Sequence, residues 1–321
     1  MSGLLPASII IPTYNRAQVL PICLDALAAL DVDPRYFEIL VVDNRSTDDT
    51  RTVCFNFAAT HPDLQIRYIF EPTPGVSFAR NRGVDEARGE IVCFLDDDSP
   101  PMGEWFQYLL APFNDARVGC VGGPSILDYQ GQPVPDWLRG DLQGLLSGYG
   151  LSYTQPSPVS AWQEFPLACN LAIRKNLFRV VGCFRTDLDR SGSQVLAAGD
   201  TEMVNRIYKA GWQVVYAPDA PVRHLVPRER LTKTHLYRIG RGLAQSHIIL
   251  TTDPRLWVIA RWFTSDLWYA TRLGIALIAA LVQHKPLWFD DYMKFWMVTM
   301  RIPLRAKSLW NRAQSSQNIS R

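Results

Sequence analysis

The chain has no C-x-x-C pair, no G-x-G-x-x-G after an apolar run, no internal repeat and little net charge. Each absence removes a class of protein. The six cysteines are scattered, at 23, 54, 93, 120, 169 and 183, and most sit in apolar surroundings such as Ile91-Val92-Cys93-Phe94. Free cysteine there behaves as a small buried hydrophobe, which disfavours a disulfide framework or zinc site and favours a reducing compartment. Without the glycine fingerprint, a dinucleotide dehydrogenase is disfavoured. A formal net charge of +2 is too small to argue for nucleic acid, and the first half lacks a basic surface interleaved with aromatics. Uninterrupted apolar runs are short as well. In Leu256–Val282, Arg261, Asp266 and Arg272 break the pattern, and the uncharged stretch Leu273–Gln283 falls short of the roughly 20 residues a spanning helix needs. The first residues, Met1 to Pro6, carry no basic segment, and Ile9–Ile11 is too short for a signal core, so a cytoplasmic location is expected.

What is present reads as an ordinary globular chain: 321 residues, 47% hydrophobic and 20% charged. Up to residue 124, β-branched runs (Ser8–Pro12, Glu38–Val42, Gln65–Phe70, Glu90–Leu95, Val118–Val121) alternate with helical stretches near Ala17–Leu30, Asp48–Ala59, Ser77–Ala87 and Trp105–Phe113. Such alternation predicts a mostly parallel α/β sheet covered on both faces, which binds ligands beyond the carboxyl ends of its strands. Residues 125–165 are rich in Pro, Gly and Trp without a clear period, as expected of a functional or flexible loop. Order resumes with a strand from Phe165 to Ile173, a helix near Gly199–Gly211 and a strand at Gln213–Tyr216, and the chain reads as helices after Glu229.

Charge is uneven in the last third. Arg223–Arg241 holds six basic residues against Glu229, and seven basic residues follow His284 against Asp290 and Asp291. Trp257, Trp262, Trp268 and Tyr269 lie beside Lys/Arg, which suits a helix lying in a membrane interface; a soluble amphipathic bundle is the plain alternative.

The polar residues just after each strand carry the chemistry. Phe94-Leu95 runs into Asp96-Asp97-Asp98, and three adjacent carboxylates repel one another unless a cation compensates. Hard divalent cations take oxygen ligands, typically one or two carboxylates plus substrate phosphates. A solvated acidic turn is the alternative. Ile39–Val42 ends in Asp43, which helix capping by Ser46–Asp49 leaves unexplained. Ile11 is followed by Pro12-Thr13-Tyr14-Asn15, where Asn15 suits a helix cap and Pro12-Thr13 can bring backbone against a ligand.

Four segments then occur in order: SIIIPTYNR (8–16), VVDNRSTDDT (41–50), GVSFARNRGVDEA (75–87) and FLDDD (94–98). Together they resemble the inverting GT-A glycosyltransferases of family 2. The resemblance implies a Rossmann-like mixed sheet flanked by helices, with residues 1–124 binding a nucleotide-sugar, 125–228 the acceptor, and a C-terminal helical extension over 229–321. It implies that Pro12, Thr13, Tyr14, Asp43, Arg80, Asp96 and Asp97 contact the donor, a UDP-sugar being favoured. Asp96 and Asp98, with His224 from Ala220-Pro221-Val222-Arg223-His224, would hold Mn²⁺ or Mg²⁺. Asp200, in Ala198-Gly199-Asp200-Thr201-Glu202, falls on the family's catalytic base, although Gly199 replaces the commoner Glu. Glu202 would bind an acceptor hydroxyl or orient its loop. Asn170 lies in FPLACNLAIRK (165–175), the acceptor-side strand, with Trp162 and Glu164 as further acceptor contacts. The structural alternatives are a surface salt bridge from Arg80 to Asp85 or Glu86, core packing for Trp162 and a purely structural His224. The implied reaction is metal-dependent, inverting sugar transfer to a sugar or lipid-linked acceptor, on a protein peripheral to the inner face of the membrane. A related nucleotidyltransferase lacks the Gly-rich basic loop it would want after the first strand, and a non-catalytic scaffold has only Gly199 in its favour.

Overall fold

The structure, a computed structural model, describes residues 7–191, 194–196, 198–251, 255–283 and 289–319. Lys285 and Arg321, counted in the basic C-terminal excess, lie outside them. The chain divides into two compact units. The first comprises Met1–Gln132, Leu146–Ser191 and Gly199–Pro227, and the second Pro133–Leu145, Gly192–Ala198 and Arg228–Arg321.

The first unit is built on strands β1 (Ala7–Thr13), β2 (Phe37–Asp43), β3 (Ile66–Phe70), β4 (Ile91–Leu95), β5 (Val118–Gly122), β6 (Ser125–Asp128), β7 (Ser157–Val159) and β8 (Asn170–Arg174). Two-residue strands β9 (Arg190–Ser191) and β10 (Gln194–Val195) precede β11 (Gln213–Tyr216) and β12 (Val222–Leu225). Eight of them form one sheet in the order β3-β2-β1-β4-β8-β5-β11-β7. The four at the β3 end are mutually parallel, as their continuous apolar runs predict. The sheet is mixed rather than wholly parallel because β8 inserts antiparallel between β4 and β5, and β7 runs antiparallel on β11. A second small pair joins β12 to β6 in parallel.

Helices α1 (Leu20–Ala28), α2 (Thr50–Thr60) and α4 (Trp105–Leu110) supply one core, where Leu20, Leu24, Cys54, Trp105 and Phe106 meet Ile9, Ile11, Ile39 and Val41. On the other face, α3 (Val76–Glu86), α5 (Phe178–Val181) and α6 (Gly199–Lys209) bring Ala79, Val84, Phe178, Met203 and Ile207 against Ile10, Leu40, Phe94 and Ile173. Alternate residues of each central strand therefore serve opposite cores, which is why these strands show no polar face. Within 125–165, where no period was legible, order comes from β6, β7 and short 3₁₀ turns.

The second unit carries α7 (Lys233–Thr251), α8 (Leu256–Val282) and α9 (Phe289–Ile319), with α9 packed on both others. Its polar centre is buried. Arg305 Nε donates to Asp266 Oδ2 at 2.5 Å, and its Nη2 donates to His247 Nδ1 at 3.0 Å and Thr251 Oγ1 at 2.8 Å. Burial, then Arg301 and Arg305, push His247 down to about 4, so the neutral ring is the acceptor this geometry requires. Trp137 joins the same unit against Phe289, at 5.4 Å between ring centres. Among the described residues one helix, Trp257–Val282, is long and apolar enough to cross a membrane by length and composition. The short uncharged run argues against a span; within α8 the charge of Asp266 is buried and paired with Arg305.

Candidate active site

The register of the parallel strands gathers their carboxyl ends. Thr13 lies beside Asp43 across β1 and β2, and Ile10 lies beside Phe94 across β1 and β4. Three residues past each member of the second pair come Thr13 and Asp97, and Thr13 Oγ1 donates to Asp97 Oδ2 at 2.7 Å. The threonine hydroxyl thus serves Asp97, while Tyr14 beside it is exposed and Pro12 is buried within β1.

Asp97 and Asp98 are buried and Asp96 is partly exposed. Arg16 reaches two of them, with Nε 3.6 Å from Asp97 Oδ1 and Nη2 3.5 Å from Asp98 Oδ2. Arg80 Nη2 donates to Asp96 Oδ1 at 3.2 Å. The structure thus joins Arg80 to the acidic cluster rather than to Asp85 or Glu86; Glu86 instead pairs with Arg67 and Arg82. Two guanidinium groups face three carboxylates, so one negative charge in the cluster is left without a partner. Burial, and then the charge of Asp98, push the Asp97 carboxyl up to about 7. Arg80 Nε is buried with no hydrogen-bond partner, an orphaned donor in a site of this charge.

Asp43 is buried at the end of β2, where Ser46 N donates to its Oδ1 at 2.8 Å and Tyr68 Oη to its Oδ2 at 2.6 Å. Asn44 holds the loop before α3: its Nδ2 donates to the Thr73 carbonyl at 2.6 Å, and its Oδ1 accepts from Gly75 N at 2.6 Å.

The antiparallel register of β4 and β8 sets Leu95 opposite Asn170, so Asp96 and Cys169 are the next residues outward on either strand. Ala168 N donates to Asp200 Oδ2 at 3.1 Å, bringing the first turn of α6 to the same edge. The Cys169 thiol is pushed up by burial, and its remaining neighbours include Asp96, Asp200 and Asp98, which all raise it. The charge at this buried sulfur is thus opposed both by Asp96 and Asp98 and by Asp200, residues that are about 100 positions apart in sequence. His224, 125 residues after Ser99, joins the acidic cluster: its Nδ1 is 2.8 Å from Ser99 Oγ and 3.4 Å from Asp98 Oδ1.

Other expected contacts are committed elsewhere. Asn170 is corrected from a sugar-facing residue to a core brace. Its Oδ1 accepts from Trp105 Nε1 at 2.8 Å, and its amide protons go to the carbonyls of Pro124 (3.0 Å) and Ala220 (2.8 Å). Gly123 permits that approach, since a Cβ there would lie 1.9 Å from the Ala220 carbonyl oxygen. Glu202 is buried and its carboxylate accepts from Arg206 Nε at 3.0 Å, while Arg206 itself bonds the carbonyls of Val181 and Cys183. Trp162 is exposed and tilted on Phe165, and Glu164 accepts from Tyr153 Oη at 3.3 Å. Sequence reasoning gave no role to Arg16, Ser99 or Asp189; Arg16 closes the first motif and had a signal to read, whereas Asp189 had none.

Among the described residues no group of three or more His, Cys, Asp and Glu is gathered as a complete metal cage. The donor set still fits a partial one. Oxygen ligands with a charge excess at Asp96–Asp98 suit a hard divalent cation whose remaining ligands are phosphate oxygens.

The profile of Glycosyl transferase family 2 matches residues 8–160. The chain is 27% identical over 265 residues to the glycosyltransferase AglE of Haloferax volcanii, covering 82% of this chain and 81% of that one. It is 29% identical over 240 residues to the succinoglycan biosynthesis protein ExoM of Rhizobium meliloti, covering 73% and 72%. In fold it is similar to the mannosyltransferase PcManGT of Pyrobaculum calidifontis, solved with GDP-Man and Mn²⁺, at a TM-score of 0.62 and 21% identity over 97% of this chain and 88% of that one. With the sheet order, the strand-end acids and these likenesses together, residues 8–160 are a family 2 glycosyltransferase domain, carried on a chain with the GT-A fold.

Proposed function

We propose that this enzyme transfers a sugar from a nucleoside-diphosphate donor, a UDP-sugar being favoured, to an acceptor hydroxyl with inversion at the anomeric carbon. The observation that carries the reading is the place of Asp200: its Oδ2 accepts from Ala168 N, two residues before β8, whose Asn170 lies opposite Leu95, the residue before Asp96. Asp200 serves as general base, removing the proton from the attacking hydroxyl. Its carboxylate is oriented by the Ala168 amide. Asp43, with Pro12, Thr13 and Tyr14, forms the nucleoside side, and the orphaned Nε of Arg80 fits an anionic diphosphate. Asp97 holds Thr13 at the end of β1. Mn²⁺ or Mg²⁺, held by Asp96, Asp98 and His224 with the diphosphate, would neutralise the charge that develops on the leaving group. A single candidate base, with no second nucleophile assigned among the described residues, fits one in-line displacement. Trp162 and Glu164 are the acceptor-side candidates; Glu202 orients its loop through Arg206.

We read residues 1–228 as the catalytic part and 229–321 as the part that meets the membrane surface from the cytoplasmic side. On α8 the aromatic and aliphatic residues Trp257, Leu267, Trp268, Ile275, Ile278 and Val282 are exposed, while its one acid, Asp266, is buried. Spaced along one side of a helix about 40 Å long, they suit an in-plane position at the headgroup boundary. Arg272 stacks on Trp268 at 5.4 Å and Arg255 on Trp257 at 5.0 Å, and both suit anionic headgroups. The basic stretch Arg223–Arg241 suits a lipid-linked pyrophosphate acceptor, and hence assembly of a surface glycan or polysaccharide.

The test is a panel of nucleotide-sugars with Mn²⁺ or Mg²⁺, scored for nucleoside-diphosphate release by wild type and by Asp200→Asn. Metal-dependent release that the variant loses while still binding donor is expected. Donor binding without release by the wild type, with lipid-linked acceptors supplied, would sink the transferase reading in favour of a scaffold.

A further inference from the structure

Helix α3 carries Arg80 but brings no cap of its own. The residue before it, Gly75, has no side chain to accept the first amides, and there is no acid in its first turn. An uncapped start leaves several N–H groups without partners and allows the first turn to fray. The missing acceptor arrives from 112 residues downstream: Ser77 N donates to both carboxylate oxygens of Asp189, at 2.9 and 3.0 Å. Phe78 N contributes to the same carboxylate. Asp189 is itself buried and its negative charge meets the positive end of the helix, the favourable sense. Gly75 makes room for it, since a Cβ there would lie 2.4 Å from Asp189 Oδ2, and its φ of +137° excludes most side chains in any case.

The same downstream segment grips α3 one turn further on. Asn81 Nδ2 donates to the Phe184 carbonyl at 2.9 Å, and Phe184 N donates back to Asn81 Oδ1 at 2.9 Å. The Phe184 ring lies under Arg80, 5.7 Å from the guanidinium carbon. Arg80 is thus flanked by two anchors from one segment, Asp189 at the start of the helix and Phe184 beside it, while its own Nη2 reaches Asp96. Because the carboxylate of Asp189 occupies the amide end of α3, that helix terminus is not a phosphate site; anion recognition there falls to Arg80.

We propose that Asp189 is a positioning residue for the donor site, capping α3 in trans so that Arg80 is held beside Asp96 in the orientation that receives the donor diphosphate. The inference rests on the donor reading above. It places a requirement for donor binding in a segment that touches no donor.

The experiment compares wild type, Asp189→Ala and Asp189→Asn by titration calorimetry with UDP and with GDP, each with Mn²⁺, beside melting curves and amide hydrogen exchange. Asn keeps an acceptor for the Ser77 amide, so it separates capping from charge. The expected result is roughly tenfold weaker nucleotide binding by the alanine variant, recovery to within about threefold by the asparagine variant, and faster exchange at Ser77 and Phe78 in the former. In donor turnover the alanine effect falls on KM for the nucleotide-sugar, with kcat within about twofold. Nucleotide affinity in Asp189→Ala equal to wild type overturns the proposal, as does equal loss in both variants together with a lowered melting temperature. A wild type that binds neither nucleotide overturns the donor reading and this proposal with it, an outcome distinct from a wild type that binds and a variant that binds equally well.

Discussion

Asp97 is the residue whose environment makes the sharpest forecast. It is buried beside Asp98, with Thr13 Oγ1 at 2.7 Å and Arg16 Nε at 3.6 Å as its favourable partners. These do not offset the loss of water, and its carboxyl is pushed up from 3.8 to about 7. Between those values the unfolded chain has released a proton that the folded chain still holds. Stability from this group is therefore greatest at low pH and is lost as pH rises through the folded value. At 1.36 kcal/mol per pH unit, the whole interval corresponds to a ceiling of about 4 kcal/mol. Asp97→Asn removes the titration while keeping an oxygen for the Thr13 hydroxyl. In urea denaturation with divalent cations chelated, the stability of the variant relative to wild type should grow by about 2–3 kcal/mol between pH 5 and pH 8. A stability difference that stays constant over this range, or shrinks as pH rises, would refute the reasoning that buried Asp97 keeps its proton because its negative charge is disfavoured there.

Three further perturbations follow from the packing. Asn170→Ala strands the Trp105 indole N–H and two carbonyls, and should cost about 2–4 kcal/mol by thermal or chemical denaturation, with nucleotide affinity within twofold of wild type; a loss confined to acceptor KM at unchanged stability would restore the sugar-facing role. Asp266→Ala leaves Arg305 buried without its carboxylate and should destabilise the C-terminal helices by about 3–5 kcal/mol, whereas the double change Asp266→Leu with Arg305→Met should recover most of that loss. Wild type should co-sediment with vesicles containing anionic lipid, and Ile275→Glu with Ile278→Glu should abolish this at unchanged helix content; co-sedimentation of the variant at the wild-type level would remove α8 from the membrane reading.

Much of the first unit was legible because its signals are local. Continuous apolar runs followed by polar residues located β1, β2, β4 and β5 within a residue or so, and Gln213–Tyr216 coincides with β11. The strand-end carboxylates were visible for the same reason, since a parallel sheet delivers every residue after a strand to one edge. The antiparallel insertion of β8 was not legible, because a strand buried on both faces reads alike in either direction. Nor was the fate of Asn170, which depends on Pro124, Ala220 and Trp105 arriving together from three distant segments.

Sequence alone, then, singled out the candidate residues: the acids at 43, 96–98 and 200, the arginine at 80 and the histidine at 224. Tertiary structure decided which of them meet and in what electrical setting. It paired Arg80 with Asp96 instead of Glu86, buried Asp97 until its proton is held near neutrality, and brought Asp189 over 112 residues to close a helix that lacked a cap. The division has a physical cause. Residue type and backbone period act over a few positions and are written in the order of the chain, whereas burial and Coulomb energy depend on distances that exist only once the chain has folded.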